Sequence, residues 1–242
     1  MSSAVNVPDR HTAARGRKLS RWHHAPIDAS RTNLFLPGFG ARASAYAPGM
    51  PRHWTALQPP RFPNADGLLV YLDWLGEELA ARPGKVTLAG HSMGGALCTL
   101  AAGAWPERIH RIVLIAPAGL PLSKPMYRSA AYFITQVATR RFSLSESGRS
   151  LFAVGVAPAG ALRLAVALRT LDLSAQMLEL REAGISSTVI GCTSDTLVTP
   201  RHTRQSAELL GARYREIPVE GGHMWMFGRW ERFRRELVRA AA

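Results

Sequence analysis

A chain of 242 residues, with 47% hydrophobic and 19% charged side chains, can bury a full core as one domain and is too apolar for wholesale disorder. Its formal charge of +13 raises nucleic acid and anionic surfaces as partners. The charge is dispersed, however, between a group at Arg10, Arg15, Arg17, Lys18 and Arg21 and a second group at Arg229, Arg232, Arg234, Arg235 and Arg239. The second is mixed with Glu231 and Glu236, and no basic run interleaves with stacking aromatics, so no specific nucleic-acid partner is expected.

Residues 1–30 read as a basic, poorly patterned N-terminal arm. The apolar run Asn33–Leu36 then predicts a strand, ended by the turn Pro37-Gly38-Phe39-Gly40. A second short strand is expected at Trp54–Leu57, before Pro59-Pro60. From Asp66 to Ala81, Leu69, Leu72, Leu75 and Leu79 recur at helical spacing, and Pro83-Gly84 stops the helix. Lys85–Ala89 is the next strand, Met93–Ala104 a small-residue helix, and Arg111–Ala116 a further strand. This alternation with short joints predicts a mostly parallel sheet covered on both faces.

The rhythm breaks between 121 and 184, where helical material at Met126–Arg141, Leu151–Val156, Ala161–Leu168 and Leu173–Ala183 predicts a helical cap inserted between core segments 31–120 and 185–242. The cap is rich in apolar side chains, among them Met126, Tyr127, Tyr132, Phe133, Phe152, Met177 and Leu178, which fits the wall of a pocket for a small hydrophobic molecule. Beyond it come a strand at Ser187–Ile190, a helix at Arg201–Leu210, a strand at Arg213–Ile217 and a last helix from about Met226 to Ala240.

The sharpest chemical signal is Gly90-His91-Ser92-Met93-Gly94, lying between a predicted strand and a predicted helix. A direct turn from strand to helix strains Ser92, and bulk at the flanking glycines would strike neighbouring backbone. In return the hydroxyl projects from a helix N-terminus, where developing negative charge is favoured. A serine hydroxyl needs a base, and the base needs an orienting group. Asp195 and His223 follow the strands ending near Cys192 and Ile217, so all three residues fall at the C-terminal edge of the sheet. The backbone N–H groups of Met93 and Phe39, the latter in the Gly38-Phe39-Gly40 turn, are the expected oxyanion donors.

Other candidates are set aside. His91 adjoins Ser92 on a sharp elbow and is expected to pack rather than act as base. His11, His23, His24, His53, His110 and His202 are scattered without ligand spacing, so no metal is expected. No complete dinucleotide or phosphate-loop fingerprint occurs, so no cofactor is expected either. Cys98 and Cys192 adjoin apolar segments and read as buried thiols, which points to a reducing, cytoplasmic setting. No secretory signal or transmembrane segment is expected. The sequence leaves homo-oligomerisation open.

Over residues 31–240 the chain resembles the α/β-hydrolase superfamily. The resemblance is carried by Leu36-Pro37-Gly38-Phe39-Gly40, Gly90-His91-Ser92-Met93-Gly94-Gly95, Ser194-Asp195 through Val198 and Pro200, and Gly221-Gly222-His223. It implies a mostly parallel sheet flanked by helices, a covalent acyl-enzyme and hydrolysis without cofactor. Pro37 stands where many members carry histidine, and the strands that usually precede this turn are poorly visible in residues 1–30. Ester hydrolysis is the expected chemistry. Thioester, lactone and carbon–carbon bond hydrolysis with the same three residues, or a non-catalytic binding protein on this fold, are the alternatives.

Overall fold

The computed structural model describes residues 32–60, 67–122 and 157–242. The N-terminal arm and the helices expected at Met126–Arg141 and Leu151–Val156 lie outside the described residues.

The strands Asn33–Leu36 (β1), Trp54–Ala56 (β2), Val86–His91 (β3), Ile109–Ile115 (β4), Ser186–Cys192 (β5) and Arg213–Ile217 (β6) form one sheet in the order β2-β1-β3-β4-β5-β6. Every pairing is parallel. A parallel sheet must be covered on both faces, and the strand residues divide accordingly. Leu34, Leu36, Leu88, Ile112, Leu114 and Val189 enter one core. It is closed by helices Leu68–Ala80 (α2), Met93–Ala104 (α3) and Pro200–Leu210 (α6). Phe35, Ala89, Val113, Ile115, Ile190 and Cys192 enter the other, closed by the short helix Ala43–Tyr46 (α1) and the last helix, Trp230–Ala241 (α7). Burying each large side chain is worth about 1.5–3 kcal/mol, which is what holds these amphipathic helices in place.

Helix α7 shows the division on one element. Phe233, Leu237 and Ala240 are buried, and Glu236 is drawn in by Arg215, whose Nε and guanidinium nitrogen lie 3.0 and 2.7 Å from its carboxylate. Arg234, Arg235 and Arg239 are exposed on the opposite face, so this part of the positive charge is a solvated surface.

Helices Pro158–Thr170 (α4) and Ser174–Glu182 (α5) cover part of the stretch assigned to the cap. α5 packs against α3 and α6 and sends Met177 and Leu180 into the first core, whereas Leu178 is exposed.

The last helix begins at Trp230 rather than near Met226. Gly222–Met224 is a single 3₁₀ turn, and the chain continues through a Phe227 N–H to Met224 C=O bond into a second turn, closed by Arg229 N–H to Met226 C=O, in which Gly228 sits at φ 82°. Trp225, Met226 and Phe227 are apolar because they plug the second core, not because they form a helical face. Helix α1, with the 3₁₀ turn Ala47–Gly49 after it, had no periodic signal and adds a fully buried Tyr46.

Candidate active site

The turn at Ser92 is built by close packing. Ser92 joins β3 to α3 at φ 54°, ψ −114°, in the left-handed half of conformational space that side chains avoid. A Cβ on Gly90 would lie 2.2 Å from the Gly94 carbonyl, and one on Gly94 would lie 2.2 Å from the Leu36 oxygen, so only glycine permits the approach. Backbone bonds then lock the elbow: Ser92 N–H donates to Ile115 C=O at 3.0 Å, and Ser92 C=O accepts from Ala118 N–H at 3.0 Å. Gly94→Ala is expected to destabilise the protein by about 3 kcal/mol or more through this backbone clash. Differential scanning calorimetry should read a fall of roughly 6–12 °C in Tm.

Ser92 occupies the N-cap position of α3, yet its hydroxyl caps none of the first amides. The side chain is half-buried at the C-terminal edge of the sheet. The turn after β1 comes up against it, since a Cβ on Gly38 would sit 3.5 Å from the Ser92 Cβ. Met93 is buried as the first residue of α3, and Phe39 packs its ring against the first core.

Asp195 and His223 meet at the same edge. After β5 the chain folds back, with Asp195 N–H donating to Cys192 C=O at 3.0 Å. Asp195 is 2% exposed, and the two oxygens of its buried carboxylate do separate jobs. Oδ1 accepts the N–H groups of Leu197 at 2.8 Å and Val198 at 3.1 Å, an Asx-type turn that fixes the carboxylate plane. Oδ2 lies 2.8 Å from His223 Nδ1. Because a carboxylate only accepts, the imidazole carries its proton on Nδ1, which leaves the lone pair on the buried Nε2.

Two side chains, Ser194 and the packed His91, hold these loops through partners that no sequence motif announced. Ser194 Oγ donates to Val219 C=O at 2.7 Å and accepts Gly222 N–H at 3.0 Å, clamping the aspartate loop to the histidine loop. His91 is buried against His223, with ring centroids 4.6 Å apart. Its Nε2 is 3.0 Å from the His223 carbonyl oxygen and its Nδ1 is 2.8 Å from the Tyr46 hydroxyl. Burial, reinforced by the neighbouring His223, pushes the His91 pKa well below the usual histidine range, so this ring stays neutral. Burial likewise raises the Tyr46 hydroxyl, which remains protonated. The adjacency of His91 to Ser92 was visible in sequence; nothing there pointed to Tyr46 as its partner.

Among the described residues no group of three or more His, Cys, Asp or Glu side chains could hold a metal ion, and no helix is long and apolar enough to cross a membrane. Cys98 and Cys192 are free and buried.

A parallel sheet wrapped by helices, with a serine-bearing strand-to-helix elbow at its C-terminal edge, defines the class of α/β hydrolases. The family model described as "Alpha/beta hydrolase family" matches residues 19–236, and the chain belongs to that family. Among solved structures it is similar to the enol-lactonase from Burkholderia xenovorans LB400, at 20% identity and TM-score 0.70 over 88% of this chain and 92% of that one. A lipase-esterase related protein from Clostridium acetobutylicum ATCC 824 matches at 14% identity and TM-score 0.69, over 87% and 95%. Est816, an N-acyl homoserine lactone degrading enzyme, matches at 16% and 0.69, over 87% and 92%. At these identities the likeness is one of fold. No curated protein sequence matches the chain significantly.

Proposed function

We propose that the protein is a serine hydrolase that cleaves carboxylic esters through an acyl-enzyme. Ser92 is the nucleophile, His223 the general base and Asp195 the acid that orients it. The observation that carries this reading is the buried 2.8 Å contact between His223 Nδ1 and Asp195 Oδ2, at the same C-terminal sheet edge as an elbow serine whose hydroxyl caps no helix amide. In the first half-reaction Ser92 Oγ attacks the ester carbonyl carbon as its proton passes to His223 Nε2. The tetrahedral oxyanion is stabilised by the backbone N–H groups of Phe39 and Met93, and the imidazolium is stabilised by Asp195. The proton then leaves with the alcohol. Water, deprotonated by the same imidazole, cleaves the acyl-enzyme and restores Ser92.

The apolar side chains of residues 121–184 favour a small or medium hydrophobic substrate. Lactone opening, the same chemistry on a cyclic ester, is the second reading, favoured by the enol-lactonase and the N-acyl homoserine lactone degrading enzyme among the similar folds. The two buried free thiols support a reducing, cytoplasmic setting.

A fluorophosphonate probe should label the protein at one equivalent, with the adduct mapped to Ser92 by peptide mass spectrometry. Labelling at another residue would refute the assignment of Ser92 as nucleophile, and a folded protein that resists the probe altogether would leave the non-catalytic binding protein. A panel of p-nitrophenyl esters, lactones, thioesters and a cleavable diketone then ranks the scissile bonds by kcat/KM.

A further inference from the structure

A chain of buried hydrogen bonds runs through the site without including any of the reacting groups. Its polarity follows from the chemistry of its members. The His223 carbonyl oxygen can only accept, so the His91 Nε2 that lies 3.0 Å from it carries the proton. A neutral imidazole then has a lone pair at Nδ1, so the Tyr46 hydroxyl, 2.8 Å away, donates to it. The Tyr46 oxygen in turn accepts the Gly38 N–H at 3.4 Å. Each donor has one acceptor, and Tyr46, His91 and His223 are respectively 0%, 1% and 3% exposed, so water does not compete for these bonds.

Each end of this chain is main chain at a place where the proposed reaction needs accuracy. The Gly38 N–H immediately precedes the Phe39 peptide, and the other end is the carbonyl of His223 itself. In the middle, His91 is covalently joined to Ser92. The packing is close throughout: a Cβ on Gly38 would lie 3.0 Å from His91 Nδ1, and the Tyr46 ring is also held by Phe35 and Phe227 at centroid distances of 4.8 and 5.2 Å.

We propose that Tyr46 and His91 are positioning residues, forming a relay that sets the Phe39 turn and the His223 loop in register with Ser92. The proposal rests on the catalytic reading above and adds to it two residues that touch neither substrate nor the transferred proton. Both act through backbone they hold, so their loss lowers the rate of attack by Ser92 while leaving ground-state binding of the substrate in place.

The test compares wild type with Tyr46→Phe, His91→Phe and His91→Gln in the full chain. Readouts are the rate of fluorophosphonate labelling, kcat and KM on the best ester of the panel, and Tm. Tyr46→Phe keeps the ring and removes only the oxygen, so the core stays filled. Displacing a reacting group by an ångström costs about a hundredfold, and partial loosening should therefore lower labelling rate and kcat by roughly ten- to a hundredfold, with KM within about twofold. The losses in Tyr46→Phe and His91→Phe should fail to add in the double variant, as expected for members of one network. His91→Gln supplies one donor and one acceptor on a single side chain and should regain most of the rate.

Equal labelling rates in wild type and a folded Tyr46→Phe variant would overturn the relay while leaving the catalytic reading intact. A wild type that the probe does not label at Ser92 would overturn the reading, and the relay's catalytic role with it. Nitrogen-15 NMR of the wild type provides a check independent of any variant. His91 should be neutral and protonated at Nε2 at neutral pH, and a proton on Nδ1 would overturn the proposal.

Discussion

Ser92→Ala should reduce ester turnover by at least about 10⁴-fold and abolish fluorophosphonate labelling. The magnitude follows from the proposed chemistry. Without the hydroxyl no acyl-enzyme forms, and only water held near His223 and the Phe39 and Met93 amides remains to attack the carbonyl. The fold should survive, because Ser92 is tied into the elbow by main chain: its N–H to Ile115 and its C=O to Gly95, Ala96 and Ala118. Alanine tolerates φ 54° little worse than serine, so Tm should change little. Retained turnover in a folded variant, measured after removal of any wild-type contaminant, would transfer the nucleophile role to another residue.

Asp195→Asn should lower kcat by about 10⁴-fold with the fold again intact, and the reason lies in how the carboxylate divides its work. Oδ1 is engaged by the N–H groups of Leu197 and Val198, and an amide oxygen satisfies both equally well. The oxygen of the new side chain therefore stays on that side and its NH₂ group faces His223. An NH₂ group donates, so the imidazole must turn a lone pair toward it from Nδ1 and carry its proton on Nε2. That tautomer has no basic atom to offer Ser92. Near-normal turnover would reassign the acid, with Glu220 in the adjoining loop the next residue to substitute. Nitrogen-15 NMR of His223 would read the tautomer change directly.

Both substitutions are chosen to spare backbone contacts, unlike Gly94→Ala. The contrast matters because the site and the fold share the same few peptide groups. Side-chain changes at Ser92 and Asp195 address chemistry, whereas a methyl group at Gly94 meets the Leu36 oxygen and addresses the packing of β1 against the elbow.

The parts of this protein legible in its sequence are those governed by neighbours along the chain. Short apolar runs, glycine and proline stops, and helical spacing gave the order of the described strands, and of the described helices other than α1, to within a few residues. The parallel sheet followed from alternation, because strands joined through a helix return in the same direction. The glycines flanking Ser92 announced a tight strand-to-helix turn for a local steric reason. Where apolar residues served another purpose, the local reading failed: Trp225–Phe227 looked like the start of the last helix and instead fill the core ahead of Gly228.

Tertiary structure alone decided how distant loops meet. Tyr46 and His91 are 45 positions apart, and His91 and the His223 carbonyl are 132 apart. Neither pairing has a periodic or motif signature, because each depends on the strand order β2-β1-β3-β4-β5-β6 that carries the loops to one edge. The same holds for Ser194, whose hydroxyl bridges two loops that the sequence separates by a helix and a strand. Propensity and spacing act over a few residues and specify elements. Hydrogen-bond partners across the sheet are specified only once those elements are packed and buried groups must find one another.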